Sequence, residues 1–443
     1  MAAIENVSEF VAKHTFGTWR PQRGWKPMHV VKAEGSCFWD ASGKRFIDMS
    51  AQLMCSNLGH GNPAVIEAIC RQARDLAFVA PGFATTVRAE LAAKLLEVVP
   101  PGIEKFFFAT SGTEANECAV KMARFATGKH KVIARYNSYH GSTATASALT
   151  GDYRRWFAEP VDSTVNGVIH APECNPYRPG PFKSADAVVD YYDYILRNEG
   201  NVAAIIVEPV VGTNGVLVPP DDYFPRLREV CDRHGVLLIA DEVMSGWGRT
   251  GHWFAVDRWK VSPDILVTAK GITSAMAPLG VVGVNKRVAD YFEDGWFAHG
   301  HTYESHPLTL APAVAAIGEY QRLGLIERAR AVGEGVLGPK LKALYDRHPS
   351  IGDVRGVGMF WAVELVKNRE TREPVGTFHD KYARRPMLID QVSAELMKRG
   401  VYAVGWMSHF VFAPPLVIEE AEIDEAIAAL DAALGIADAA VAG

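Results

Sequence analysis

Cysteine is scarce in this chain, and its few cysteines stand far apart. The six, Cys37, Cys55, Cys70, Cys118, Cys174 and Cys231, are scattered through 443 residues. None forms a C-x-x-C pair, which speaks against a metal knuckle or a thiol redox motif. Their density is far below that of a disulfide scaffold, so a reducing, cytoplasmic location is expected. Basic runs are missing too, and the formal net charge is only -5. Nothing in the charge therefore points to nucleic acid or an anionic membrane as a partner. No apolar stretch reaches the roughly 20 residues that cross a bilayer. The stretch from Met1 to His14 carries Glu5, Glu9 and Lys13 and lacks the basic start and apolar core of a signal peptide. Gly-x-Ser-x-Gly does not occur, which leaves a serine hydrolase without support. His299, His301 and His306 are not at ligand spacing on a helix face, and no carboxylate completes a site, so no metal is expected.

What is present is an ordinary globular composition, 48% apolar and 22% charged. The length calls for two or more lobes. Residues 1–58 read as an arm of about 30 residues followed by a hairpin at 30–48, joining a smaller lobe. Over residues 59–320 helices alternate with short β-branched or aromatic runs. Helices are expected at 64–77, 89–98, 114–127, 185–197 and 224–234, and strands at 105–109, 131–135, 168–170, 202–208, 236–241, 263–270 and 279–284. That grammar predicts an α/β fold whose large, mainly parallel, seven-stranded sheet is covered on both faces. Residues 321–443 read as a smaller α+β domain.

The chain is organised around Lys270, which ends the apolar run Pro263-Asp264-Ile265-Leu266-Val267-Thr268-Ala269 beside Gly271. A lysine there can snorkel to solvent, pair with a carboxylate, or act as an amine nucleophile. The preceding run ends in Asp241, and a buried Asp needs a partner. Ends of successive parallel strands share one edge of the sheet, where ligands bind. Ser111-Gly112-Thr113-Glu114 follows another strand and opens a helix. Its small residues and free N–H groups suit an anion, and an ordinary helix cap is the simpler alternative. Tyr139, after the 131–135 strand, can stack on a flat ligand or merely fill a loop. Gly246-Trp247-Gly248-Arg249-Thr250-Gly251 matches G-x-G-x-x-G and keeps a nicotinamide-dependent oxidoreductase as a rival. It lacks the strand directly before it, the helix opening after it and the acid that follows the true fingerprint, so it reads as a loop. An anion cradle, an aromatic, a carboxylate and an amine on one edge suit a flat ring that bears a phosphate and an aldehyde.

At these residues the chain resembles the class III (omega) aminotransferases, pyridoxal-phosphate-dependent enzymes of fold type I. The matching pieces are Asn57-Leu58-Gly59-His60-Gly61, Ser111-Gly112-Thr113-Glu114-Ala115, Tyr139-His140-Gly141, Glu208-Pro209, Asp241-Glu242-Val243, Gly248-Arg249-Thr250-Gly251 and Ala269-Lys270-Gly271. The resemblance implies that Lys270 carries pyridoxal 5'-phosphate as an aldimine and then moves the proton, with a pyridoxamine form between half-reactions. It implies that Asp241 pairs with the ring nitrogen, Val243 and Tyr139 cover the two ring faces, Ser111, Gly112 and Thr113 bind the phosphate, and Glu208 supports the site. Thr302 resembles the threonine that reaches the partner subunit's phosphate, which implies a homodimer with shared active sites and leaves dimer and tetramer both open. Many members carry an arginine ahead of the Pro414-Pro415-Leu416 segment, but residues 401–415 contain neither Arg or Lys. A bidentate clamp for a second carboxylate cannot come from that stretch, so the pocket is more apolar or another arginine serves. Leu53, Met54 and Cys55, where relatives often present an aromatic, and Trp406 are the expected substrate walls. The implied reaction moves an amino group from a primary amine of the taurine, β-alanine or aryl-alkyl type to an oxo acid, with pyruvate favoured over 2-oxoglutarate. A decarboxylase, mutase or phospho-lyase on the same scaffold is the alternative.

Overall fold

A computed structural model describes residues 4–161 and 165–441. Residues 1–3, the start of the expected arm, lie outside the described residues. The arm is not wholly irregular. Val7–His14 is helical, and the Asn6 side chain accepts the Glu9 N–H at 3.1 Å as its cap. The expected hairpin is a three-stranded meander, Val30–Glu34, Cys37–Asp40 and Arg45–Asp48. Gly35, at φ +57°, breaks the first run in two. Asp40 Oδ1 closes the second turn by accepting the N–H groups of Ser42 and Lys44 at 2.9 and 3.0 Å. Arg45–Asp48 pairs in parallel with Val401–Tyr402, which ties this meander to the far end of the chain.

The large sheet has seven strands. Across it lie Ile103–Ala109, Gly280–Asn285, Ile265–Thr268, Leu237–Asp241, Val202–Val207, Lys131–Arg135 and Val168–Ala171. All run parallel except Gly280–Asn285, which is antiparallel to both of its neighbours. The reversal has a local cause. Only residues 269–279 separate it from the preceding strand, and they hold the 3-10 turn Lys270–Thr273 in place of a crossover helix. The other strands alternate with helices and keep one direction. Val202–Val207 and Leu237–Asp241 are buried along their whole length, as central strands covered on both faces require. Gly112–Thr127 packs on one face, and Ala185–Glu199 with Tyr223–His234 covers the other.

A second, antiparallel sheet is built from Ile351–Val357, Phe360–Asn368, His409–Phe412 and Val404–Trp406, with the short strand Glu373–Pro374 beside Phe360–Asn368. Gly248 and Gly251 form a buried loop, at φ +80° and +78°, with no helix opening behind them. Arg249 between them is fully buried. It donates to the carbonyls of Met359, at 3.1 Å, and Pro414, and to Asn57 Oδ1 at 2.7 Å. The G-x-G-x-x-G match is thus an internal brace, and it is no dinucleotide site. No helix among the described residues is long and apolar enough to cross a membrane.

The reversed strand depends on Gly280. A Cβ there would lie 2.1 Å from the Ser111 carbonyl oxygen, which is backbone and cannot step aside cheaply. Gly280→Ala should therefore cost about 1–3 kcal/mol and loosen the Ser111 loop. A denaturation midpoint unchanged from the parent would show that this close approach carries no weight.

Candidate active site

Six parallel strands deliver their carboxyl ends to one edge of the large sheet, and the strand ends supply the site. Asp241 ends a central strand and is 3% exposed. Its Oδ2 accepts Asn116 Nδ2 and His140 Nδ1, each at 2.8 Å, and its Oδ1 accepts the Val243 N–H at 3.1 Å. These donors hold the carboxylate ready while leaving Oδ1 room for one more. Asn116 also donates to the His140 carbonyl at 2.7 Å, which fixes the loop carrying Tyr139.

Ser111 caps the 16-residue helix Gly112–Thr127. Among the described residues nothing accepts the N–H groups of Gly112 and Thr113, which face an anion at the positive end of the helix. The two hydroxyls expected as donors are already engaged. Ser111 Oγ donates to Glu114 at 3.0 Å, while Thr113 Oγ1 accepts the N–H groups of Ser142 and Thr143, both at 3.1 Å. Thr113 thus sews the Tyr139 loop to the cradle. Only glycine permits this at 141, where φ is +137° and a Cβ would fall 2.2 Å from Thr113 Oγ1.

Lys270 sits in the left-handed region, at φ +51°. That conformation strains a residue with a Cβ, and it persists only where neighbours enforce it. Here Tyr320 Oη donates to the Gly271 carbonyl at 2.8 Å, and the Trp247 ring and Asn57 crowd the Gly271 backbone. Burial pulls the Lys270 ammonium below its ordinary value, while Cys55, Asp241 and Glu208 work in the opposite direction. Burial likewise raises the Glu208 carboxyl. Its oxygens accept Tyr139 N–H at 3.0 Å and Gly212 N–H at 2.9 Å.

These groups line one cavity of about 530 Å³. Lys270, Asp241, Ser111, Gly112, Thr113, Tyr139, Val243 and Glu208 all border it, with Cys55 and the 273–279 segment. Of the expected substrate walls, Cys55 borders the cavity; Leu53, 63% exposed, Met54, buried in the core, and Trp406, packed on Arg154, do not. Thr302 is exposed and also lies off the cavity.

Sequence reasoning missed Arg154. It lies on the helix Tyr153–Ala158, capped by Asp152, in a stretch to which the sequence reading assigned nothing. Its guanidinium carbon stands 3.6 Å from the centre of the Tyr139 ring and 4.6 Å from that of Trp406. A short Asp-x-Arg-Arg-Trp stretch was the available signal, but only the fold brings it to Tyr139. Of the partners of Asp241, His140 lay inside a quoted motif and Asn116 just beyond one, neither with an assigned role.

The whole length supports one family. The model of the class-III aminotransferases matches residues 20–434. The chain is 37% identical to the putrescine–pyruvate aminotransferase of Pseudomonas aeruginosa, over 90% of this chain and 88% of that one. It is 30% identical to the taurine–pyruvate aminotransferase of Bilophila wadsworthia, over 93% of each. Its fold superposes on the taurine:2-oxoglutarate aminotransferase of Bifidobacterium kashiwanohense, solved with pyridoxal phosphate and glutamate, with a TM-score of 0.93, 38% identity and 98% of both chains covered. An (S)-enantioselective omega-transaminase of Thermomicrobium roseum follows at 0.90 and 35%, over 98% of this chain and all of that one. The chain is a class III aminotransferase, an enzyme that works with pyridoxal phosphate.

The residues present fit that cofactor. A Cβ on Gly112 would press on Val243 at 3.1 Å, so the cradle and the ring wall are shaped together. When bound, the cofactor supplies an electron sink for the carbon that loses its proton.

Two outcomes test this site. Lys270→Ala should abolish turnover while circular dichroism stays that of the parent; residual turnover above a blank would remove Lys270 from the chemistry. Glu242, buried beside Asp241, supplies a pH test. Burial lifts its carboxyl from the usual 4.5 to about 7, against hydrogen bonds from Ser245 and from the Val256 N–H at 2.9 Å. The folded chain holds this proton more tightly than the unfolded one. Its contribution is therefore full below about pH 4.5 and is lost as the pH rises through 7, by up to about 3 kcal/mol. Glu242→Gln should flatten that part of the stability–pH curve. Parallel curves for parent and variant between pH 5 and 8 would reject it.

Proposed function

We propose that this chain is an omega-aminotransferase that takes the amino group from a primary amine and gives it to a short oxo acid, pyruvate in preference to 2-oxoglutarate. Lys270 is the base that moves the proton, Asp241 holds the ring nitrogen protonated, and Tyr139 and Val243 hold the ring flat. Gly112 and Thr113 anchor the phosphate. A homodimer gives exposed Thr302 its role at the partner's phosphate.

The carrying observation is Arg154. Residues 401–415 contain no Arg or Lys, and Arg154 lies on the ring of Tyr139, which itself borders the cavity. Its Nε reaches both Asp152 oxygens at 3.0 Å and its Nη2 also binds that carboxylate, while among the described residues no partner takes up Nη1. A sulfonate or carboxylate on the substrate can use that free edge. Asp152 already balances the charge, so a neutral aryl-alkyl amine leaves no unpaired cation behind. Donors of the taurine, β-alanine and aryl-alkyl types are all compatible with such a pair.

The test is the visible absorption of the bound cofactor, titrated with amines and no oxo acid. A stable loss of the band, reversed by pyruvate, is expected. Recovery without any oxo acid would make the chain a decarboxylase, mutase or lyase. A faster return with 2-oxoglutarate than with pyruvate would overturn the acceptor. Arg154→Ala should raise KM for taurine or β-alanine about tenfold or more and leave 1-phenylethylamine within about twofold. Equal effects on both would remove Arg154 as the acid contact.

A further inference from the structure

Arg154 does not stand alone. Asp152 is fully buried, and besides Arg154 its Oδ2 accepts Asn214 Nδ2 at 3.0 Å. Asn214 Oδ1 in turn accepts Trp406 Nε1 at 3.1 Å. Trp406 returns to the start of the chain of contacts by laying its ring on the Arg154 guanidinium. The circuit closes through groups more than 250 residues apart in sequence, on a helix cap, a loop and a strand of the second sheet.

Each link is directional. Asp152 Oδ1 takes the Arg154 N–H at 2.9 Å, Nε is shared between both oxygens at 3.0 Å, and Oδ2 also takes Nη2 and Asn214. The Asn214 amide has one donor end and one acceptor end, and each faces a complementary group. Turning the amide over would set a carbonyl against the carboxylate and an NH₂ against the indole N–H. The loop under Asn214 is itself pinned. Arg355 Nε donates to the Gly215 carbonyl at 2.7 Å, His409 Nε2 meets the Thr213 carbonyl at 2.9 Å, and Val211 bridges to Leu217. The same loop gives its Gly212 N–H to Glu208, whose other oxygen holds Tyr139. Both the guanidinium and the ring it lies on are thus fixed from one loop.

We propose that Asn214, acting through Asp152, is a positioning residue that locks the Arg154 guanidinium flat between Tyr139 and Trp406, and so sets the selectivity of the site for acid-bearing over neutral substrates. Without this lock Arg154 keeps its charge partner but gains freedom to rotate off the Tyr139 face. An acid group on the substrate would then have to reorder it on binding. A neutral amine makes no use of the guanidinium donors and is indifferent to that freedom. The proposal rests on the reading of Arg154 as the acid contact.

The experiment is Asn214→Ala in the full-length, cofactor-loaded enzyme, with taurine, β-alanine and 1-phenylethylamine as donors and pyruvate as acceptor. KM for taurine and β-alanine should rise about tenfold with kcat within about twofold. KM for 1-phenylethylamine should stay within about twofold. The absorption band of the bound cofactor and the thermal midpoint serve as checks on folding. Asp152→Asn is the second variant, since it sets an NH₂ against either Asn214 or Arg154, and it should shift the donors in the same selective way. If Arg154→Ala is selective for the acid donors while Asn214→Ala and Asp152→Asn change nothing, the lock is overturned and the acid contact survives. If Asn214→Ala shifts all three donors alike, or lowers kcat with KM unchanged, its role is general and the proposal fails. If Arg154→Ala is itself unselective, the reading beneath the proposal is what has failed.

Discussion

A carboxylate buried without hydrogen bonds would cost several kcal/mol or simply take up a proton. Asp241 is buried at the end of a central strand, and the protein meets that constraint with donors from separate elements. Asn116 comes from the cradle helix, His140 from the loop after Lys131–Arg135, and the Val243 N–H from the continuation of Asp241's own strand. Satisfying one side chain therefore brings the anion cradle, the stacking tyrosine and the opposing valine into register. Among the described residues no partner meets His140 Nε2 or Asn116 Oδ1; the bonds both side chains do make serve Asp241 and the loop between them.

The amine reaches the same place by a different device. Lys270 leaves its strand in a left-handed turn, and the chain then doubles back as the one antiparallel strand of the large sheet. The reversal is short because no helix is inserted. Doubling back lets Gly280 meet Ser111, and thereby sets the lysine turn beside the start of the cradle helix. The strain at Lys270 is held by the packing of Trp247 and Tyr320 on Gly271 and its surroundings, which come from another loop and from the helix Pro307–Arg322. Strand ends deliver the acid and the base, and a strained turn aims one of them.

The legible part of the sequence was the part that repeats. Alternating runs announced the sheet, and the residues at its strand ends, Ser111 to Thr113, Tyr139, Asp241 and Lys270, could be nominated because a parallel sheet collects strand ends on one edge, while Glu208 entered only through the family resemblance. Two kinds of feature escaped. The antiparallel course of Gly280–Asn285 left no mark in its own composition, since Leu279 to Val284 is as aliphatic as any parallel strand. The connection length before it carried the signal. The helix Tyr153–Ala158 was too short for periodicity, and the value of Arg154 lies in what stands over it. Leu53, Met54 and Cys55 were nominated together from the resemblance, and the backbone around them, with Ala51, Gln52 and Met54 all at positive φ, turns only Cys55 of the three to the cavity.

The contrast between these two groups has a physical root. Proton transfer demands that donor and acceptor sit within a few tenths of an ångström, and adjacent strands hydrogen-bonded in one sheet give that rigidity directly. Selecting a substrate demands a group at the far end of the molecule being bound, beyond the sheet edge, where no strand reaches. The chain places Arg154 there on a short helix and must then immobilise it from outside. A lone arginine in that position would be a buried cation needing an anion at all times. Asp152 supplies the anion, but a pair held by two side chains of one helix turn could still swing as a unit. An anchor from outside that turn removes the motion. Asn214, on a loop that Arg355 and His409 of the second sheet pin, and Trp406 of the second sheet itself provide such an anchor, so that on the proposed reading the chemistry is a property of the large sheet and the selectivity a property of how the second sheet is docked against it.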